Sequence, residues 1–212
     1  MKAPKQQNTA SAAQDAKIVR YEPRSDYVTQ SFYDWLVEVS NDLRQAANRA
    51  DDVAAQLWRN ASQLLVTESR LLDQQAFTPW LDLCINECAY WIPSDWPAPD
   101  PRKAITLEFH DRRRLLDRIV RLDTGVAYSQ FPPSRTCRQW SGLEVWASPT
   151  RKKDWHARYN FTLVDFRNGH NRLLAGWNGF VLRETDAGLR IAVKQINLID
   201  CDRIQGNNSF FL

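Results

Sequence analysis

The sequence predicts an α+β fold in which helices come first and a curved, mainly antiparallel sheet follows. Three observations predict it. Apolar residues recur at helical spacing through the first third, the texture changes to short aromatic and β-branched runs from about Glu87, and one arginine-rich helical stretch interrupts those runs. Turn formers at Asn168 and Gly169, and again from Asp186 to Gly188, divide the last part into hairpins.

At 212 residues the chain is long enough for one well-filled core, and it divides into an arm at 1–24 and a single domain at 25–212. The arm is Ala, Gln, Ser and Lys, too poor in large apolar groups to order itself. After Ser25, a suitable cap, Val28, Phe32, Trp35, Leu36, Val39 and Leu43 form the stripe of a first helix over Tyr27 to Arg44, with Asn41, Asp42, Arg44 and Gln45 on its solvent side. A second helix is expected from about Asp51 to Asp73, through Leu57, Trp58, Ala61, Leu64, Leu65, Glu68, Leu71 and Leu72, its acidic start suited to the helix dipole. Thr78 and Pro79 read as the cap and first position of a short third helix, TPWLDLCIN.

The strands follow. ECAYWIP is the first, and the segment after it, with Pro97, Pro99 and Pro101, is a stiff exposed loop because each proline lacks a backbone donor. Ile105, Leu107 and Phe109 then alternate with Thr106, Glu108 and His110 as a half-buried strand. At Asp111, an N-cap, the period becomes helical: Leu115, Ile119 and Leu122, with Leu116 and Val120 beside them, against Arg112, Arg113, Arg114, Asp117, Arg118 and Arg121, with Gly125 as the stop. Four longer strands are expected at roughly Arg135 to Ala147, Trp155 to Arg167, Arg172 to Arg183 and Leu189 to Cys201, with the helices on one face of the sheet. The closing GNNSFFL is too apolar to float, so Phe210, Phe211 and Leu212 should dock against the fold or a neighbouring chain.

Composition excludes several classes of function. A formal net charge of +3, from 28 basic and 25 acidic residues, gives little footing for nucleic acid. No apolar run is long enough for a membrane span and the first residues lack the apolar core of a secretion signal, so the expected compartment is the cytoplasm. There Cys84, Cys88, Cys137 and Cys201 are expected as thiols, mostly buried small hydrophobes, with Cys84 and Cys88 on the core face of the third helix. Close-spaced Cys and His ligands are missing, His110, His156 and His170 being far apart, and the 7 glycines form no phosphate cradle. Proton transfer in a cupped sheet is harder to exclude, with His110, Asp117, Asp165 and Glu144 as candidates. The arginine helix has two readings: a solvated face in which Asp117 pairs with Arg121, or an interface, favoured by the aromatics and prolines that follow it. Partner-facing candidates are Arg114, Arg118, Arg121, Tyr128, Phe131 and Arg135, with Trp91, Phe210 and Phe211.

The runs ESRLLDQQAFTPWLDLCINECAYWIP, ITLEFHDRRRLLDRIVRLDTGVAYSQFPPSRT and RLLAGWNGFVLRETDAGLRIAVKQINLIDCD closely resemble the small (beta) subunit of aromatic-ring-hydroxylating dioxygenases, which are Rieske non-haem iron oxygenases. The likeness covers about Glu68 to Leu212 and leaves the first 50 residues open. It implies an NTF2-like, cystatin-like cone with N-terminal helices packed on a strongly curved six-stranded sheet. It implies a chain without catalytic residues, metal or cofactor of its own. The Rieske [2Fe-2S] cluster and mononuclear Fe(II) belong to the alpha subunit in that family, commonly in an α3β3 assembly where beta subunits also meet one another. A reductase, with or without a ferredoxin, brings electrons from NADH. The resemblance also suggests a carboxylated or hydroxylated small arene as substrate. The alternative is a stand-alone dehydratase or isomerase of the same fold, using a pocket in the sheet.

Overall fold

The computed structural model describes residues 25–45, 53–124, 127–206 and 208–212. The expected arm, the acidic pair Asp51 and Asp52, and Gly125 lie outside them. Helix α1 (Gln30–Arg44) begins at Thr29, not at Ser25, because the Thr29 hydroxyl accepts the Phe32 N–H at 3.3 Å. Helix α2 (Ala55–Asp73) buries Ala61, Leu65, Glu68, Ser69 and Leu72 while Trp58 is left exposed at the rim of the expected stripe. Helix α3 is shorter than the sequence suggests, Phe77–Leu81, and Ala76 rather than Thr78 precedes it. Strand β1 starts at Cys84, so Cys84 and Cys88 share a strand face instead of a helical one.

The other strands are β2 (Thr106–Asp111), β3 (Arg135–Ala147), β4 (Asp154–Arg167), β5 (His170–Thr185) and β6 (Gly188–Leu198); helix α4 (Arg112–Asp123) follows β2 directly. Asp111 caps α4 as expected, accepting the Arg114 N–H at 2.8 Å. Ile105, by contrast, lies outside β2 and is exposed, and a register shift at Ile92 and Pro93 disturbs the predicted alternation. The six strands run in the order β2-β1-β6-β5-β4-β3. From β3 to β6 they form the antiparallel meander, and β6 then pairs with β1 in parallel. Register shifts occur in every pairing except β4 with β5, and such bulges bend the strands they interrupt, which curves the sheet.

Helices cover both faces of this sheet, not one. Cys88, Tyr90 and Ile92 of β1 face a core shared with α2, α3 and α4, while Ala89 and Trp91 face a second core built with Phe32, Trp35, Leu36, Val39 and Leu43 of α1. Asp42 therefore points inward, accepting Trp146 Nε1–H at 2.7 Å and lying 2.6 Å from His156 Nδ1. Phe210, Phe211 and Leu212 join the larger core, as the sequence leads one to expect of an apolar end. Cys137 alone of the four thiols is exposed, because its side of β3 is uncovered.

Strand β5 passes so close to β6 at Gly176 that a Cβ there would sit 2.0 Å from the Asn197 carbonyl oxygen. Backbone cannot swing aside as a side chain can. Gly176→Ala should therefore cost about 2–3 kcal/mol, the scale of an overpacked core, read as a lower midpoint in urea unfolding.

The closed cup and the outer face of the arginine helix

Inside the curve of the sheet, where a substrate pocket would have to be, the chain has placed its own end. Glu68 of α2 and Lys194 of β6 are both fully buried and meet at 2.5 Å between Oε1 and Nζ. Trp80 Nε1–H donates to the same carboxylate oxygen at 3.2 Å, and Lys194 also donates to the Leu212 carbonyl at 2.6 Å. The Tyr90 hydroxyl accepts the Leu212 N–H at 2.9 Å. Burial pushes the Lys194 ammonium below its ordinary pKa, and the Glu68 carboxylate opposes that shift. Phe211 fills the space between, its ring centroid 4.8 Å from that of Trp80 and 5.1 Å from that of Phe77. The void left among Trp80, Cys84, Cys88, Tyr90, Leu115, Ile191 and Lys194 is about 10 Å³, at the lower limit for one water molecule.

The proton-transfer candidates do not converge on this cup. Glu144 sits on β3 opposite Arg158 of β4, and Asp165 on β4 opposite Thr136. Asp117 lies on the outside of α4, where it pairs with Arg113 at 3.0 Å rather than with Arg121. His110 is on edge strand β2 beside Glu108 and Arg118, and His156 is buried against Asp42. Among the described residues no three His, Cys, Asp or Glu side chains are grouped to hold a metal ion.

The arginines of α4 divide into inward and outward sets. Arg112 Nη1 donates to the carbonyls of Leu81 and Cys84 at 2.8 and 3.1 Å. Arg118 is paired with Glu108 and donates through Nη2 to the Asn208 and Phe210 carbonyls, each at 2.6 Å, while its guanidinium lies 4.4 Å from the Phe211 ring centroid. It clamps the tail onto the domain and is not a solvated residue. Arg114, which donates to the Phe109 carbonyl at 3.3 Å, and Arg121 line an open groove of about 510 Å³ between α4 and the tail, which Arg118, His110 and Asp117 also border. Just beyond it, Tyr128 is 84% and Phe131 76% exposed, and the Arg135 guanidinium stacks 4.5 Å from the Phe166 ring centroid. Trp91, Phe210 and Phe211 present no such surface, since all three are buried in this chain's own cores. The candidate partner face thus reduces to Arg114, Arg121, Tyr128, Phe131 and Arg135.

Residues 67–205 match the protein family described as ring hydroxylating beta subunit. The chain belongs to that family. The beta subunit of benzoate 1,2-dioxygenase from Acinetobacter baylyi is 26% identical over 142 residues, 65% of this chain and 83% of the relative. The small oxygenase component of the p-cumate 2,3-dioxygenase system from Pseudomonas putida is 29% identical over 168 residues, 77% of this chain and 92% of the relative. Among solved structures, a chain of naphthalene 1,2-dioxygenase superposes with a TM-score of 0.68 over 87% of this chain and 100% of its own length at 20% identity. The benzoate 1,2-dioxygenase beta subunit from Burkholderia mallei gives 0.58 over 71% and 95% at 22%. The beta subunit therefore has the expected α+β cone, N-terminal helices on a strongly curved six-stranded sheet.

The residues that close the beta subunit's cup were only half visible beforehand. Glu68 occupies an apolar position of the α2 stripe, and Lys194 interrupts the apolar run IAVKQINL; each is a charge where burial is expected, but nothing in the spacing pairs them. Lys194→Met should leave Glu68 buried and unpaired, costing about 3–5 kcal/mol, and combining it with Glu68→Leu should recover most of that loss in urea unfolding. A second consequence concerns pH. Burial holds the Tyr90 and Tyr159 phenols well above their ordinary pKa of 10.0. Their stabilisation is complete below that value and declines as pH rises towards their folded pKa values, by about 1.4 kcal/mol per pH unit for each phenol. Lys194, shifted down, works in the opposite sense only up to its ordinary value of 10.5. Unfolding free energy measured from pH 9 to 12 should accordingly fall steeply above about 10.5, and less steeply in Tyr159→Phe.

Proposed function

We propose that this chain is the non-catalytic structural subunit of a multicomponent Rieske oxygenase that hydroxylates an aromatic ring, its role being to stabilise the catalytic alpha subunit. The observation that carries the reading is the closed cup: Lys194, Glu68 and Phe211 fill the space an NTF2-like dehydratase or isomerase would need, while charged and aromatic side chains stand exposed along α4 and the loop after it. The Rieske [2Fe-2S] cluster, the mononuclear Fe(II) and the oxygen chemistry then belong to the alpha subunit, supplied with electrons from NADH by a reductase, with or without a ferredoxin. An α3β3 hexamer is the proposed assembly, and the cytoplasm, where four unpaired thiols are at home, the proposed compartment. A small aromatic carboxylate is the proposed substrate class, because benzoate, p-cumate, 3-phenylpropionate or cinnamic acid, and toluate appear in the names of the similar beta subunits.

Co-expression with the alpha subunit tests the reading. A stable hetero-oligomer is expected, with iron in the complex and none in the isolated chain. A beta chain that turned over an arene alone would overturn it. The α4 arginines sharpen the test. Arg121→Glu combined with Phe131→Ala should weaken association by about 2 kcal/mol, roughly 30-fold, with the melting temperature of the isolated chain unchanged. Arg118→Glu should lower that melting temperature instead, because it releases the tail.

A further inference from the structure

Away from α4, the loop after β1 and the loop after β6 enclose a pocket of about 490 Å³ lined by Asp95, Trp96, Trp177, Leu198, Ile199 and Asp202. Trp96 is 55% and Ile199 79% exposed, a large apolar cost to leave in water at neighbouring positions. The Trp96 ring stands edge-on to Trp177, centroids 5.9 Å apart, and its backbone N–H is held by Asp95 Oδ1 at 2.7 Å. The buried ring of Trp177 already carries the Arg158 guanidinium, 4.2 Å from its centroid. Arg151 covers Trp35 in the same way at 3.9 Å. Cys201 lines this pocket too, and its thiol is pushed up by burial and then by Asp202, Asp95 and Asp200, so the negative field of three carboxylates meets there.

We infer that this pocket is a docking site for an arginine side chain of a protein partner. A guanidinium can stack on the exposed Trp96 face while its fork reaches Asp95 and Asp202, and its methylene stem can cover Ile199. An ammonium would answer the charge but not the planar stacking. Arg203, the chain's own cation nearby, is 3.8 Å from Asp202 Oδ2, too far for a hydrogen bond, and is 81% exposed, so it leaves that carboxylate available. Acidic or apolar partners fit less well, the first repelled by the two aspartates and the second unable to satisfy them.

The probe is Nα-acetyl-argininamide, titrated into the full chain labelled at its tryptophan indole nitrogens. A saturable shift of the Trp96 indole N–H resonance is expected, with binding at least tenfold weaker for the corresponding lysine amide. Asp95→Asn combined with Asp202→Asn should weaken arginine binding at least tenfold while leaving the melting temperature unchanged, since both carboxylates are on the surface. An absent shift, equal binding of the lysine or glutamate derivative, or an undiminished affinity in the double variant would overturn the assignment. So would concentration-dependent self-association that Trp96→Ala abolishes, which would give the patch to a second copy of this chain.

Discussion

A buried ammonium must be neutralised, and that requirement ties the larger core of this domain together. An unpaired charge at Lys194 would cost several kcal/mol, so Glu68 has to reach it from α2. One carboxylate does not exhaust three N–H donors, and the Leu212 carbonyl takes another. Trp80 of α3 completes the Glu68 side, and Tyr90 of β1 completes the Leu212 side. Elements distant in sequence must therefore arrive together: α2, α3, β1, β6 and the tail share a single polar cluster inside an otherwise apolar core. Phe211 could not be seated between Trp80 and Phe77 unless its backbone carbonyl were also satisfied, and Arg138 supplies that donor while paired with Asp73.

The opposite face of the sheet obeys a different constraint. Strands β1 and β6 are interior strands of the sheet, and with helices on both faces a polar side chain on β6, such as Lys194 or Gln195, has to find a partner inside the fold. Trp91, Trp177, Val181 and Val193 would form an exposed apolar surface if α1 were absent. Asp42 fixes the last turn of that helix to Trp146 and His156, and Gln195 reaches Ser40 at 3.0 Å. The family match begins at residue 67, after α1, yet the side chains α1 covers lie within the matched range. In this chain, helix α1 thus covers an apolar face of strands that lie within the matched range.

Local chemistry made much of this legible in advance. The last four strands announce themselves because turn residues bound them, and the α4 stripe because Asp111 caps it. Three features escaped for a common reason: they depend on contacts across the fold. Trp80 and Leu81 end α3 early because β1 must begin at Cys84 to pair with β6, a tertiary demand that overrides the helical look of TPWLDLCIN. Unbroken burial from Cys88 to Pro93 hides any period of two in that half of β1. Asp42 looks like a solvated helix residue until the fold brings Trp146 and His156 to it. The partner-face candidates fared according to the same rule, since an aromatic such as Trp91 signals burial without saying whether its own chain or another provides the cover.

The arginines illustrate why a count of basic residues is a poor guide to what a protein binds. Among the described residues, four of them spend donors on backbone carbonyls that lie far away in this same chain. Arg112 takes Leu81 and Cys84, Arg158 takes Leu43 and Arg44 at the end of α1, and Arg118 and Arg138 take the tail. Carbonyls at helix ends and in a tail have no ladder to join, and left buried and unpaired each would cost about 1–3 kcal/mol. A planar fork with several donors can serve two such oxygens and stack on a ring at once, which a lysine cannot do. Selection for folding alone therefore accounts for Arg112, Arg118, Arg138 and Arg158. Arg121, and Arg114 apart from its donation to the nearby Phe109 carbonyl at 3.3 Å, are not spent on such long-range contacts, and they stand on the face where the aromatic side chains Tyr128 and Phe131 are also uncovered.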